Sequence, residues 1–107
     1  MIQNIYTVYD NAAKAFLPPF YVQNDEVAIR TFADAVYSDN HQFNRYPADY
    51  TLMYAGTFED STGIFKTKAP TKVVGALEVP RPKQLDQLDL MQEFIGDAPE
   101  KENQSEV

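Results

Sequence analysis

Nine side chains of this sequence could form a track for a polyanion. Arg30, Arg45, Lys66, Lys68 and Lys72 could meet phosphates, and Phe20, Tyr21, Tyr46 and Tyr54 could offer flat surfaces to bases. Single-stranded nucleic acid is held by that combination: cations follow the backbone, and each base stacked on a ring contributes about 1–3 kcal/mol. Phe20 and Tyr21, together with Phe16, flank Pro18-Pro19, and Tyr46 precedes Pro47. Such positions favour rigid rings left partly in solvent. The competing explanation is structural. A small sheet needs Phe and Tyr to fill its core, and Phe32, Phe43, Phe58 and Phe65 are expected there. Lys66 and Lys68 also suit the guarded edge of a sheet, where charge discourages pairing with another chain.

Catalysis has little to work with. His41 is the single histidine, and Asp39 alone does not complete a metal site or a general-base pair around it. Ser38, Ser61 and Ser105 fall in turns or near the chain's end, which disfavours a nucleophilic triad. Four scattered glycines (Gly56, Gly63, Gly75 and Gly96) make no phosphate loop. Cysteine is absent, so disulfides and thiolate metal sites are excluded. The expectation is a protein that binds without catalysis and without a cofactor or metal.

The elements that must position these residues begin with Asn24–Ser38, which reads as an amphipathic helix. Ile29, Phe32, Ala33 and Val36 recur at i, i+3, i+4 and i+7. Asn24 or Asp25 can cap its start, and Asp25 and Glu26 sit where the helix dipole favours negative charge. Residues 4–10 alternate in period two and predict a strand. Residues 14–22 predict a second strand, bent or confined to an edge by Pro18-Pro19. Residues 39–49 predict a long connecting loop. Residues 50–58 predict a strand with Tyr50, Leu52, Tyr54, Gly56 and Phe58 on one side. A turn at 59–63, a short return strand at 64–68 and a further strand at 72–79 complete the body. The fold class expected is α+β: an antiparallel sheet of four to five strands with one helix on one face.

Charge divides the chain into a body, residues 1–83, and a tail, residues 84–107. Up to residue 84 there are eight Lys/Arg against nine Asp/Glu; beyond it one Lys faces seven acids. The net charge of −7 therefore belongs mostly to the tail. Within the body, residues 64–83 form a basic edge. Leu85, Leu88, Met91, Phe94 and Ile95 are spaced like a short amphipathic helix in the tail, with Asp86, Asp89 and Glu93 between them, followed by a disordered composition. The tail reads as a solubilising extension, a docking segment for another protein, or a mimic of DNA that returns to the basic edge. No apolar run approaches the length of a bilayer span, and Met1–Asn4 is unlike a secretion signal. A soluble cytoplasmic protein is expected.

Several motifs, in their order, resemble a known family. They are Tyr9-Asp10, Ala15-Phe16-Leu17-Pro18-Pro19-Phe20, Ala28-Ile29-Arg30-Thr31-Phe32-Ala33-Asp34, His41-Gln42-Phe43, Pro47-Ala48-Asp49-Tyr50-Thr51-Leu52 and Gly56-Thr57-Phe58-Glu59-Asp60. Together they resemble the small nonstructural protein of gokushovirus-type microviruses, phages with circular single-stranded DNA genomes. The resemblance spans about residues 5–63, and none of its motifs is catalytic. It implies a role in genome replication, supporting the switch to single-strand synthesis through binding of single-stranded DNA in the bacterial cytoplasm. A homodimer is expected from unpaired strand edges and the amphipathic tail. The rival expectation is a non-catalytic adaptor that recruits a phage or host replication protein, or a capsid protein, through the tail or the Pro-Pro hairpin.

Overall fold

The computed structural model describes residues 1–81. The expectations for the acidic tail, and Lys83 of the basic edge, lie outside the described residues. The fold is α+β, as the periodicities predict. An antiparallel, curled sheet is built from β1 (Ile2–Asp10), β2 (Ala15–Phe16), β3 (Phe20–Val22), β4 (Tyr50–Glu59) and β5 (Ile64–Gly75), with α1 (Asp25–Val36) packed on one face.

The order is β2-β1-β4-β5, with β3 pairing the same side of β1 as β2. β2 and β3 are thus two pieces of one edge strand, parted by Pro18-Pro19. Proline lacks the N–H that a ladder requires, so the break falls there. Leu17 bridges the gap: its N–H donates to the Val8 carbonyl, and its own carbonyl accepts from Thr7 Oγ1 at 2.7 Å.

The helix starts where the capping residues indicate. Asn24 Oδ1 accepts from the Val27 N–H at 2.9 Å, satisfying a donor with no intrahelical partner. Ala28, Phe32, Ala33 and Val36 are buried, whereas Ile29 is only half-buried at the rim of the stripe. They pack on Tyr6, Val8, Tyr50 and Leu52, of which Tyr6 and Leu52 are completely enclosed. Residues 39–49 are more ordered than a loop. They contain α2 (Gln42–Arg45) and a 3-10 turn (Pro47–Asp49), which seat Phe43 between Phe32 and Tyr50 at ring distances of 5.5 and 4.5 Å.

Two strand expectations change. The return strand does not stop at Ala69-Pro70. β5 runs unbroken from Ile64 to Gly75, because Pro70 lies on an edge strand opposite a stretch that makes no ladder pair. Residues 76–79 are not a strand: 76–78 form a turn in which the Glu78 N–H donates to the Gly75 carbonyl, and Ala76 and Val79 drop into the core.

The second change concerns β4. The register against β1 shifts between Ile5 and Tyr6, leaving Ala55 as the extra residue, and the ladder to β5 shifts at the same place. A bulge of one residue moves everything beyond it to the opposite face. Phe58 therefore leaves the side of Tyr54 and joins the face of Ile5. Gly56 follows the bulge at φ +133°, and a Cβ there would lie 2.2 Å from the Lys66 carbonyl oxygen. Only glycine fits so close an approach in that conformation.

Candidate nucleic-acid interface

Register assigns each predicted residue to a face. Residues paired across an antiparallel ladder project to the same side, so Gln3, Ile5, Thr7 and Tyr9 share the face away from α1 with their partners Phe58, Gly56, Met53 and Thr51. Tyr21 joins them through its pairing with Ile5, and Phe16 through Tyr9. Phe65 joins through Phe58, and Lys72 through Met53. Among the described residues no helix packs on this face.

The open face carries two ring clusters. Tyr9 and Phe16 lie 4.8 Å apart between centroids. Tyr21, Phe58 and Phe65 form a triad, with Tyr21 at 5.7 Å from Phe58 and 6.3 Å from Phe65, and 4.7 Å between the two phenylalanines. Tyr21 stands on β3 and Phe58 on β4, on either side of β1. Their rings therefore lean inward over β1, and Ile5 beneath them is only 4% exposed although no helix covers it. Phe16, Tyr21 and Phe65 remain 47%, 40% and 54% exposed. Rings held in place by neighbours yet open on one side are ready-made stacking platforms.

The other predicted rings lie elsewhere. Phe20 and Tyr54 flank the buried Tyr6 at 5.9 and 5.7 Å on the α1 side, where both are half-buried. Tyr46 is 59% exposed where α2 meets the 3-10 turn, beside the helical layer. Of the five predicted cations, three line β5. Lys66 pairs with Thr57, Lys68 Nζ stands 5.6 Å from the Tyr54 ring centre, and Lys72 Nζ is 3.1 Å from Glu78 Oε1 in an exposed pair. Residues 61–77 contain no acid, although Glu78 pairs with Lys72 at one end and Glu59 stands near Lys66 at the other. Arg30 is exposed on α1, and Arg45, in the last turn of α2, donates to the Asn40 carbonyl at 3.4 Å. The structure strings the three lysines along β5, with Lys66 and Lys68 on the α1 side beside Tyr54 and Lys72 on the open face, and it sets Tyr21 alone of the predicted rings on the open face.

Phe58 and Phe65 do not take the core positions that the sequence suggests for them. The face change at Ala55 moves both to the open side, and the one sequence signal for it is Gly56 interrupting an otherwise regular alternation. His41 has a structural place: its Nδ1 accepts from the Phe43 N–H at 3.1 Å, capping α2, and its ring packs 4.4 Å from Phe43.

Two titratable groups mark how the sheet is held. The Tyr6 hydroxyl donates to Asp25 and accepts from Asn4 Nδ2 at 3.0 Å. Burial first, and then the bond to Asp25, push its pKa up to about 12. At the far end, hydrogen bonds from the Met1 amine and from Ser61 hold the Glu59 carboxyl down to about 2. Glu59, Ile2, Thr57, Thr62, Ile64 and Lys66 line a shallow cavity of about 210 Å³ there.

Fold and face together define a small α+β protein whose sheet is covered on one side and bears rings on the other. The chain belongs to the Phage ORF5 protein family, whose model matches residues 3–79. It is therefore a phage protein, which agrees with the coarser part of what its motifs imply. No curated protein and no solved structure matched the chain. No helix among the described residues is long and apolar enough to cross a membrane.

Proposed function

We propose that this phage protein binds single-stranded DNA during genome replication, in the cytoplasm of the host, and supports the switch to single-strand synthesis. It acts by binding, without catalysis. The observation that carries the reading is the open sheet face, where Phe16, Tyr21 and Phe65 are fixed by ring contacts yet exposed. On the acid-free edge strand β5, Lys72 projects to that face, while Lys66 and Lys68 project to the α1 side of the same edge. Bases would stack on the rings while phosphates follow the lysines, a division of labour that tolerates any sequence. A homodimer that aligns two such faces would lengthen the track.

Fluorescence anisotropy of a labelled oligonucleotide with the full chain tests this. Three phosphate contacts predict a salt slope near −2, so affinity should fall roughly 20-fold between 50 and 200 mM salt. Absence of binding at the lower salt refutes the reading.

A further inference from the structure

β5 ends the sheet, so along its outer side the backbone donors and acceptors of a 12-residue strand meet no other strand among the described residues. A long exposed edge of this kind is a template for one more strand. Its side chains are of two kinds: Ile64 and Phe65 are more than half exposed, and Lys66, Lys68 and Lys72 come next with no acid among them.

The same chain contains a segment of matching length and opposite charge. The core holds the chain as far as Val79, whose carbonyl accepts from the Tyr37 hydroxyl at 3.0 Å. Val79 lies close behind the turn that ends β5, so the last described residues stand near the Gly75 end of that strand. Residues 85–95 (Leu-Asp-Gln-Leu-Asp-Leu-Met-Gln-Glu-Phe-Ile) carry three acids and no cation. Extended, these 11 residues reach roughly 36 Å at about 3.3 Å each, close to the length of β5. Laid antiparallel from the Gly75 end, Asp86, Asp89 and Glu93 meet Lys72, Lys68 and Lys66 in that order. Phe94 and Ile95 then arrive at Phe65 and Ile64. The register that pairs Glu93, Phe94 and Ile95 with Lys66, Phe65 and Ile64 brings Asp86 within one residue of Lys72 and Asp89 within two of Lys68.

We propose that residues 85–95 add to the β5 edge of their own chain as an antiparallel strand, and that single-stranded DNA must displace them to reach the lysines. The first half of this stands on the edge alone; the second rests on the proposed DNA binding. Lys72 exchanges its exposed pair with Glu78 for Asp86, and the residues between Arg81 and Leu85 span the distance. Tethering keeps the local concentration of the segment near the mM scale, so even weak pairing competes with a dilute ligand.

The absence of cysteine permits a clean probe. A spin label on Gln92→Cys in the full chain should broaden the amides of residues 65–68 and leave those of Asp34–Tyr37 sharp. High salt should reverse the broadening. Uniform or absent broadening overturns the pairing, and broadening seen only between differently labelled copies overturns its being within one chain. For the competition, Asp86→Asn, Asp89→Asn and Glu93→Gln together should tighten oligonucleotide binding about tenfold at low salt, the shift expected of a tethered competitor favoured by that factor. Glu100→Gln, Glu102→Gln and Glu106→Gln change the net charge equally and should have far less effect. Equal gains from both sets, or none from the first while the native chain binds DNA, overturn the competition and leave DNA binding standing. No binding by any chain overturns the competition and the proposed function together, while the spin label still decides the pairing.

Discussion

The two faces of the sheet put their aromatic residues to opposite tasks. On the α1 side, Phe32, Phe43, Tyr50 and Tyr6 are packed out of water, and each ring contributes the area it hides. On the other side, Tyr21, Phe58 and Phe65 touch one another at similar ring distances, yet two of the three stay at least 40% exposed. Ring-to-ring distance therefore does not separate core from surface; the presence of a covering element does. Stability should reside in the first cluster and recognition in the second.

The sharpest way to break this comparison is to truncate one ring from each side. Phe32→Ala should cost about 3–5 kcal/mol in urea denaturation, the range for a large buried aromatic. Phe65→Ala should cost under about 1 kcal/mol, while weakening oligonucleotide binding roughly tenfold through the loss of one stacked base. Equal stability losses, or unchanged binding by the Phe65 variant, would erase the distinction between the faces.

A smaller effect should come from the residue that allows the faces to exchange. Gly56→Ala places a Cβ against the Lys66 carbonyl at a φ of +133°, and the strained backbone alone costs about 1–3 kcal/mol. Amide exchange in β4 and β5 beyond residue 55 should accelerate more than in the core around Leu52. Equal acceleration at both places would mean that the bulge does not divide the sheet.

The mildest test uses pH. Folded Tyr6 releases its proton near 12, and an unfolded tyrosine near 10, so the unfolded chain loses its proton first as pH rises. The contribution of Tyr6 to stability is full below pH 10 and is lost between pH 10 and 12. Circular dichroism combined with tyrosinate absorbance should show unfolding in that window, and Tyr6→Phe should remove that part of the alkaline sensitivity. Glu59 has the opposite sign: its contribution is present above about 4.5 and fades as pH falls toward 2.

Much of the fold is legible in the sequence because it is written in local rules. Asn24 ahead of an apolar stripe marks the helix, alternation marks β1, and Pro18-Pro19 marks a broken edge. The connection 39–49 is harder, since its short helix is secured by tertiary contacts of Phe43 and by a histidine cap, not by periodicity. Pro70 misleads in the other direction: proline ends a central strand, but on this edge it lies where β4 makes no ladder pair and forfeits no bond to it. The candidate site is least legible. Tyr50–Phe58 keeps its alternation on paper, while the extra residue at Ala55 turns Phe58 and Phe65 outward. A bulge is a property of two strands and cannot be read from one. Tyr21 is within reach of sequence reasoning because its neighbouring prolines announce an edge; Phe65, with no such neighbour, is not.

The Tyr37 hydroxyl grips the main chain at Val79, and the grip has a mechanical meaning. Together with the burial of Val79, it fixes where the chain leaves the folded body, so anything attached downstream starts from one defined point beside α1.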